Sequence, residues 1–64
     1  MRRRDLIRYL AEHHCVLIRE GSRHSVYKNQ VNNKTSTVPR HTEIDDYLAR
    51  KIWRDLNIPE INKR

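Results

Sequence analysis

The chain has very few of the residues that make crosslinks, tight turns or large cores. Its 64 residues include one cysteine, one glycine and no phenylalanine, and only 36% of them are apolar. A single cysteine cannot form an internal disulfide, which is typical of proteins from a reducing compartment. With so little apolar material, the core must be thin and built from leucine, isoleucine, valine and tyrosine. We therefore expect one small domain over residues 1–64, with Cys15 as a buried apolar residue.

Long apolar runs are also missing. No run approaches the roughly 18 residues of a membrane-spanning helix. The basic start over residues 2–4 is not followed by the hydrophobic stretch of a signal peptide, because Asp5 and Arg8 interrupt it. We therefore expect no membrane partner and a cytoplasmic location.

The sequence also lacks paired metal ligands and an oriented serine nucleophile. Residues 13–15 are His-His-Cys, but adjacent residues do not share a helix face, and no pair has zinc spacing. Ser22 and Ser25 lie near His24, yet no acidic residue is placed to orient the imidazole, as a serine nucleophile requires. The sequence therefore predicts no metal site and no other cofactor.

Positive charge is what the chain has in excess. Lysine and arginine number 14 against 8 acidic residues, which gives a net charge of +6 and a pI of about 10.1. The basic residues are spread along the whole chain rather than collected in one tail. Such a balance favours a polyanionic partner, either a nucleic acid or an acidic protein surface.

Apolar spacing predicts a helix followed by three strands. Helical periodicity covers residues 5–14, and strand-like runs cover 15–20, 24–29 and 34–38. Gly21 is expected to adopt a positive φ in the first hairpin turn. Pro39 is expected to end the third strand because proline cannot donate to a sheet ladder.

A second helix is predicted in the C-terminal third. Thr42 is the expected N-cap. Asn57 and Pro59 are expected to end the helix, and residues 58–64 are expected to form a frayed tail. Its apolar stripe has helical spacing and consists of Ile44, Leu48, Ile52 and Leu56.

The predicted order is helix, strand, strand, strand, helix. Short connections favour an antiparallel three-stranded meander with both helices on one face. The fold class is therefore α+β, with the architecture of a double-stranded-RNA-binding domain. In the second strand, Val26 and Tyr27 alternate, and alternation alone does not decide which of them faces the core.

His24 is the strongest candidate for chemistry. It begins a predicted strand after a glycine turn, among basic residues, and histidine side chains exchange protons near neutral pH. RNA supplies its own nucleophile in the 2′-OH, so a protein needs only to move protons and stabilise charge. The residues alone leave two interpretations open: His24 acts as the base, or it is an ordinary surface histidine at the start of a strand. The expected RNA-contacting residues are Arg23, Tyr27, Lys28, Arg40 and His41, of which either His41 or Tyr27 would be the general acid.

Two motifs give the sequence a family resemblance. They are Gly-Ser-Arg-His-Ser-Val-Tyr over residues 21–27 and Thr-Val-Pro-Arg-His over residues 37–41. Together with Arg3-Arg4-Asp5-Leu6-Ile7 and the segment 44–58, they make the chain resemble HicA toxins, also called YcfA-type mRNA interferases. The family usually has Gly-Ser directly before its histidine, where this chain has Ser22 and Arg23.

The resemblance implies a function. HicA toxins are similar in fold to double-stranded-RNA-binding domains, cleave mRNA and halt translation, and are neutralised by a HicB antitoxin. The proton-transfer route described above needs no metal, so we expect metal-independent cleavage. The resemblance would make His24 the catalytic histidine, and mRNA and a HicB-type antitoxin the partners of a monomeric toxin. Two other functions fit the residues: a non-catalytic RNA-binding module, and an adaptor whose basic face meets an acidic protein.

Overall fold

A computed structural model describes residues 1–60 of the chain. The three strands form one antiparallel sheet in the order β1-β2-β3, which confirms the predicted α+β fold. Both helices within the described residues are too short and too polar to cross a membrane. The elements are α1 (Arg3–Glu12), β1 (Cys15–Glu20), β2 (His24–Asn29), β3 (Thr35–Pro39) and α2 (Asp46–Leu56).

Both helices cover the same face of the sheet. In β2 the buried side chains are those of Ser25, Tyr27 and Asn29, so Tyr27 and not Val26 faces the core. Alternation continues in β3, where the second and fourth residues are buried. The core residues are Leu6 and Leu10 from α1, Cys15, Tyr27 and Val38 from the sheet, Ile44, and Ala49, Ile52, Trp53 and Leu56 from α2.

Helix α2 begins later than the sequence suggested. Its N-cap is Asp45, whose carboxylate accepts a hydrogen bond from the Leu48 amide at 2.8 Å. The prediction that Thr42 is the cap is wrong. The carbonyl of Thr42 instead accepts a hydrogen bond from the Arg3 amide at 2.8 Å, and the next residue, Glu43, forms an isolated bridge with Arg2. Residues 42–44 are therefore extended against the N-terminal segment and cannot start a helix.

The C-terminal end of α2 is fixed by asparagine side chains. Asn57 has a φ of 56°, the left-handed conformation typical of a helix end. The amide groups of Asn29 and Asn32 donate to the Leu56 carbonyl at 2.9 and 3.1 Å. These contacts join the β2–β3 turn to the end of the helix.

The predicted tail starts at residue 58, but its first two residues are held in place. Ile58 packs against the core, and the Pro59 carbonyl accepts a hydrogen bond from the Tyr9 hydroxyl at 2.5 Å. Residues 61–64 of that predicted tail lie outside the described residues.

Cys15 lies where α1 leads into β1. Its side chain is 2% exposed, within the core cluster. Burial raises the pKa of the thiol above its usual value. Cys15 is therefore a buried apolar side chain, as the sequence predicted.

Candidate functional site

His24 is the first residue of β2, and its side chain is exposed on the face opposite to the helices. Side chains on successive strand residues point to opposite faces. His24, Val26 and Lys28 therefore share the open face, while Ser25 and Tyr27 lie among the core residues. The structure thus places the imidazole on an accessible surface directly above packed residues.

The hairpin turn before His24 is tied to its backbone. The amide of Gly21 donates to the His24 carbonyl at 2.7 Å. A Cβ atom on residue 21 would lie 3.1 Å from that carbonyl oxygen, which is tighter than ordinary van der Waals contact. Gly21 does not have a positive φ, so that prediction is wrong. The turn uses glycine because it allows the close approach of two backbone segments, not because it permits left-handed geometry.

The other side of His24 is fixed by β3. His24 pairs with Pro39, and the next residue, Arg40, donates its amide to the Arg23 carbonyl at 3.2 Å. The His24 backbone is therefore held between the Gly21 turn and the end of β3.

A network of polar side chains lies beneath this end of the sheet. The guanidinium of Arg3 donates to the Pro39 carbonyl at 2.9 Å and to the Ser25 hydroxyl at 3.0 Å. Ser25 in turn donates to the Glu20 carboxylate at 3.3 Å. Sequence reasoning did not assign a role to Arg3, Ser25 or Glu20. No signal in the sequence identifies these residues, because the full burial of Ser25 is seen only in the structure.

Arg40 joins the same network. It forms a salt bridge with Glu20 and donates to the Gly21 carbonyl at 3.2 Å. The sequence proposed Arg40 as an RNA-contacting cation. The structure shows a guanidinium that bridges the end of β1 to the turn before His24.

His24 borders an open depression of about 410 Å³. Of the residues that the sequence proposed for the site, His24 and Arg23 line it. The depression also contains Arg19, which the sequence analysis did not select. Among the described residues, its lining is Arg19, Gly21, Ser22, Arg23, His24 and Val26.

The remaining proposed residues are not among those that line this depression. Lys28 lies on the same face but four residues further along β2, or about 13 Å at the usual rise of a strand. His41 is exposed and follows the end of β3. Tyr27 is only 8% exposed and lies on the opposite face. Burial raises the pKa of its phenol, Arg3 opposes that rise, and Glu20 adds to it.

A comparison with protein families matches residues 3–58 to the family described as HicA toxin of bacterial toxin-antitoxin. The chain belongs to the HicA toxin family. Comparisons with curated proteins and with solved structures found no match. Membership of the HicA toxin family makes the chain a toxin of a toxin–antitoxin system, with an antitoxin as its counterpart.

The part matched to the HicA toxin family contains the whole depression and the network beneath it. Within residues 1–60, no three histidine, cysteine, aspartate or glutamate side chains gather closely enough to hold a metal ion. Within residues 1–60, the polar side chains that line the depression carry one imidazole, two guanidinium groups and the hydroxyl of Ser22.

Proposed function

We propose that the chain is a metal-independent endoribonuclease toxin that cleaves mRNA, with His24 as its catalytic residue. One observation carries this proposal: an exposed imidazole borders a depression whose charged side chains, among residues 1–60, are those of Arg19 and Arg23. The backbone on both sides of His24 is hydrogen-bonded, which limits the positions that its ring can occupy.

The reaction is a transesterification within the RNA. His24 accepts the proton of the 2′-OH as its oxygen attacks the adjacent phosphorus. The bond to the 5′-oxygen breaks, that oxygen receives a proton, and the products are a 2′,3′-cyclic phosphate and a 5′-hydroxyl. Negative charge grows on the phosphoryl oxygens during the attack, and guanidinium groups stabilise such charge. Arg23 is adjacent to His24 and lines the depression, which suits it to this role.

The 5′-oxygen requires an acid, and the structure favours His41 over Tyr27. His41 is exposed and lies two residues after Pro39, the cross-strand partner of His24. Tyr27 lies on the core face, and burial raises the pKa of its phenol. We propose that Lys28 contacts RNA on the open face beyond the depression, since it lies further along the same face of β2. The α-β-β-β-α order also supports a likeness to double-stranded-RNA-binding domains.

The proposed partners are mRNA and a HicB-type antitoxin. A net charge of +6 favours both RNA and an acidic protein surface. Binding of the antitoxin to the toxin would end the inhibition of translation and growth. The proposed place of action is the cytoplasm, where mRNA is translated.

The decisive experiment compares the same substitution at two exposed histidines. His24→Asn removes the proposed base. His14→Asn is the matched control, because His14 is exposed, has a φ of 67°, and asparagine tolerates that conformation. RNA cleavage in the presence of a chelator, and growth after induction, are measured for both variants. We expect His24→Asn to lose roughly 10² to 10⁴-fold in cleavage rate and to lose toxicity, while His14→Asn keeps both.

Each other outcome has a defined meaning. Full activity of His24→Asn would contradict the assignment of His24. If the wild-type protein binds RNA with strong salt dependence but never cuts it, the chain is a non-catalytic RNA-binding module. If it does not bind RNA at all, the basic surface serves a protein partner. A strict magnesium requirement, or products without a 2′,3′-cyclic phosphate, would refute the mechanism.

A further inference from the structure

The pairing between β1 and β2 contains a β-bulge. Leu17 pairs with Tyr27, and the next pair joins Arg19 to Val26, so Ile18 is the extra residue. Glu20 then pairs with Ser25. A bulge of this kind changes which face the following residues of the strand occupy.

The bulge decides the charge on the face that carries His24. In an uninterrupted ladder continued from the Leu17–Tyr27 pair, Arg19 would pair with Ser25 on the core face. Glu20 would then pair with His24, and a carboxylate would stand beside the imidazole. With the bulge, Arg19 instead lies on the open face opposite Val26, and Glu20 is turned to the core face, where Ser25 and Arg40 bind it.

We propose that Arg19 is a phosphate-binding residue of the His24 site, and that the bulge at Ile18 places it there. This inference rests on the proposed function. His24 would deprotonate a 2′-OH of the RNA, and Arg19 would bind the phosphate that this 2′-oxygen attacks. Arg19 lies diagonally across the ladder from His24, a spacing of about 7–8 Å that long side chains can bridge. Both residues line the depression.

The guanidinium of Arg19 is available for an anion. Within residues 1–60 it takes part in no salt bridge and no side-chain hydrogen bond, whereas Arg40 is occupied by Glu20 and the Gly21 carbonyl. A guanidinium presents several N–H groups in a planar fork, which fits two oxygens of one phosphate group. Arg19 is therefore better placed than Arg40 to bind a phosphate beside His24.

The test compares Arg19→Gln with Arg8→Gln. Arg8 is exposed on α1, so the control removes the same charge at a distant place. Binding of an RNA oligonucleotide with 2′-deoxy nucleotides at its cleavage sites is measured at several salt concentrations. We expect Arg19→Gln to weaken binding and to reduce the slope of log K against log salt by about one. Arg8→Gln should leave the slope unchanged.

Cleavage of unmodified RNA under single-turnover conditions is measured with the same proteins. We expect Arg19→Gln to lower the rate roughly 10²-fold, the scale for losing one group that stabilises transition-state charge. Arg19→Lys restores the charge without the fork, so it should recover the salt slope but only part of the rate. If Arg19→Gln matches Arg8→Gln in slope and rate, or if Arg19→Lys keeps the slope of Arg19→Gln, the proposal is overturned.

Failure of this proposal is distinguishable from failure of the proposed function. If His24→Asn abolishes cleavage while the two glutamine variants behave alike, only the role of Arg19 is wrong. If His24→Asn cleaves normally, the catalytic assignment is wrong, and binding of the uncleavable oligonucleotide still tests Arg19 independently.

Discussion

The two faces of β2 have different roles although they share one backbone. Ser25 is fully buried and Tyr27 is 8% exposed, whereas His24 is exposed on the other face. The core face holds the sheet to the helices, and the open face presents an imidazole and cations. Neighbouring residues in the sequence therefore have unrelated roles, and substitutions on one face should alter stability while those on the other alter activity.

The faces meet at the hairpin end of the sheet. Glu20 and Ser25 lie on the core side, yet Arg40 connects Glu20 to the carbonyl of Gly21. Gly21 in turn donates to the carbonyl of His24. Substitutions in the middle of β2 should therefore affect either stability or activity, whereas those near His24 should affect both.

The largest expected contrast is between Tyr27→Ala and Val26→Ala. Tyr27 is nearly buried in the core cluster, and truncation of a large buried aromatic costs about 3–5 kcal/mol of the free energy of unfolding. Val26 is half-buried on the open face and should cost less than half as much. Thermal and urea unfolding measure both. Equal losses of unfolding free energy would show that Val26 is as tightly packed as Tyr27, and would contradict an open face.

A conservative change at the same position sharpens this contrast. Tyr27→Phe keeps the ring but removes the hydroxyl. If Tyr27 acts only in the core, RNA affinity and cleavage should remain at wild-type values. A fall in cleavage rate with unchanged unfolding free energy would instead support Tyr27 as the general acid.

The next contrast lies at the other end of β2, between Asn29→Ala and Lys28→Gln. The Asn29 side chain donates to the Leu56 carbonyl and accepts from the Val31 amide, both at 2.9 Å. Removing these two hydrogen bonds, of which the one to Leu56 is buried, should cost about 1–3 kcal/mol. Lys28→Gln should change the unfolding free energy by no more than about 0.5 kcal/mol, but should weaken RNA binding. A stable Asn29→Ala protein would mean that Asn32 alone holds the end of α2.

The smallest expected effect is a pH dependence of stability that arises where β3 meets α2. A hydrogen bond from Lys51 is the largest cause that holds the pKa of Asp55 below its usual value; burial opposes it, and a hydrogen bond from Ser36 lowers the pKa further. Because folding lowers the pKa of Asp55, its ionised carboxylate stabilises the fold above about pH 4, the ordinary pKa of an aspartate. This stabilisation is lost as the pH falls from there through the lower pKa of the folded state.

Asp55→Asn tests this directly. The variant should melt slightly below the wild type near neutral pH, because exposed ion pairs contribute little. The difference should close as the pH falls below about 4. A constant difference in melting temperature from pH 7 to pH 2 would contradict an electrostatic origin.

The strands were the most predictable part of the fold. The predicted ranges 15–20 and 24–29 coincide with β1 and β2, because β-favouring residues are bounded there by a turn. The N-cap was mispredicted because Thr42 and Asp45 are both good caps locally. Only pairing of residues 42–44 with the N-terminal segment decides between them, and that is a tertiary contact.

Part of the lining of the depression could be predicted from the sequence, but the arrangement of charge around it could not. His24 and Arg23, both proposed from the sequence, line the depression. Arg19 was missed because the apolar run before it has no alternation from which a bulge at Ile18 can be read. The salt bridge between Arg40 and Glu20 could not be predicted because it depends on that same shift in register.

The burial of Cys15 allows local unfolding of the protein to be measured by thiol labelling. The chain has no other cysteine, and this one is 2% exposed with a thiol whose pKa is raised by burial. A thiol reagent can therefore modify the folded chain only when the junction of α1 and β1 separates. The labelling rate therefore measures how often this junction opens. Any ligand that binds the folded toxin should lower the labelling rate without contacting the cysteine.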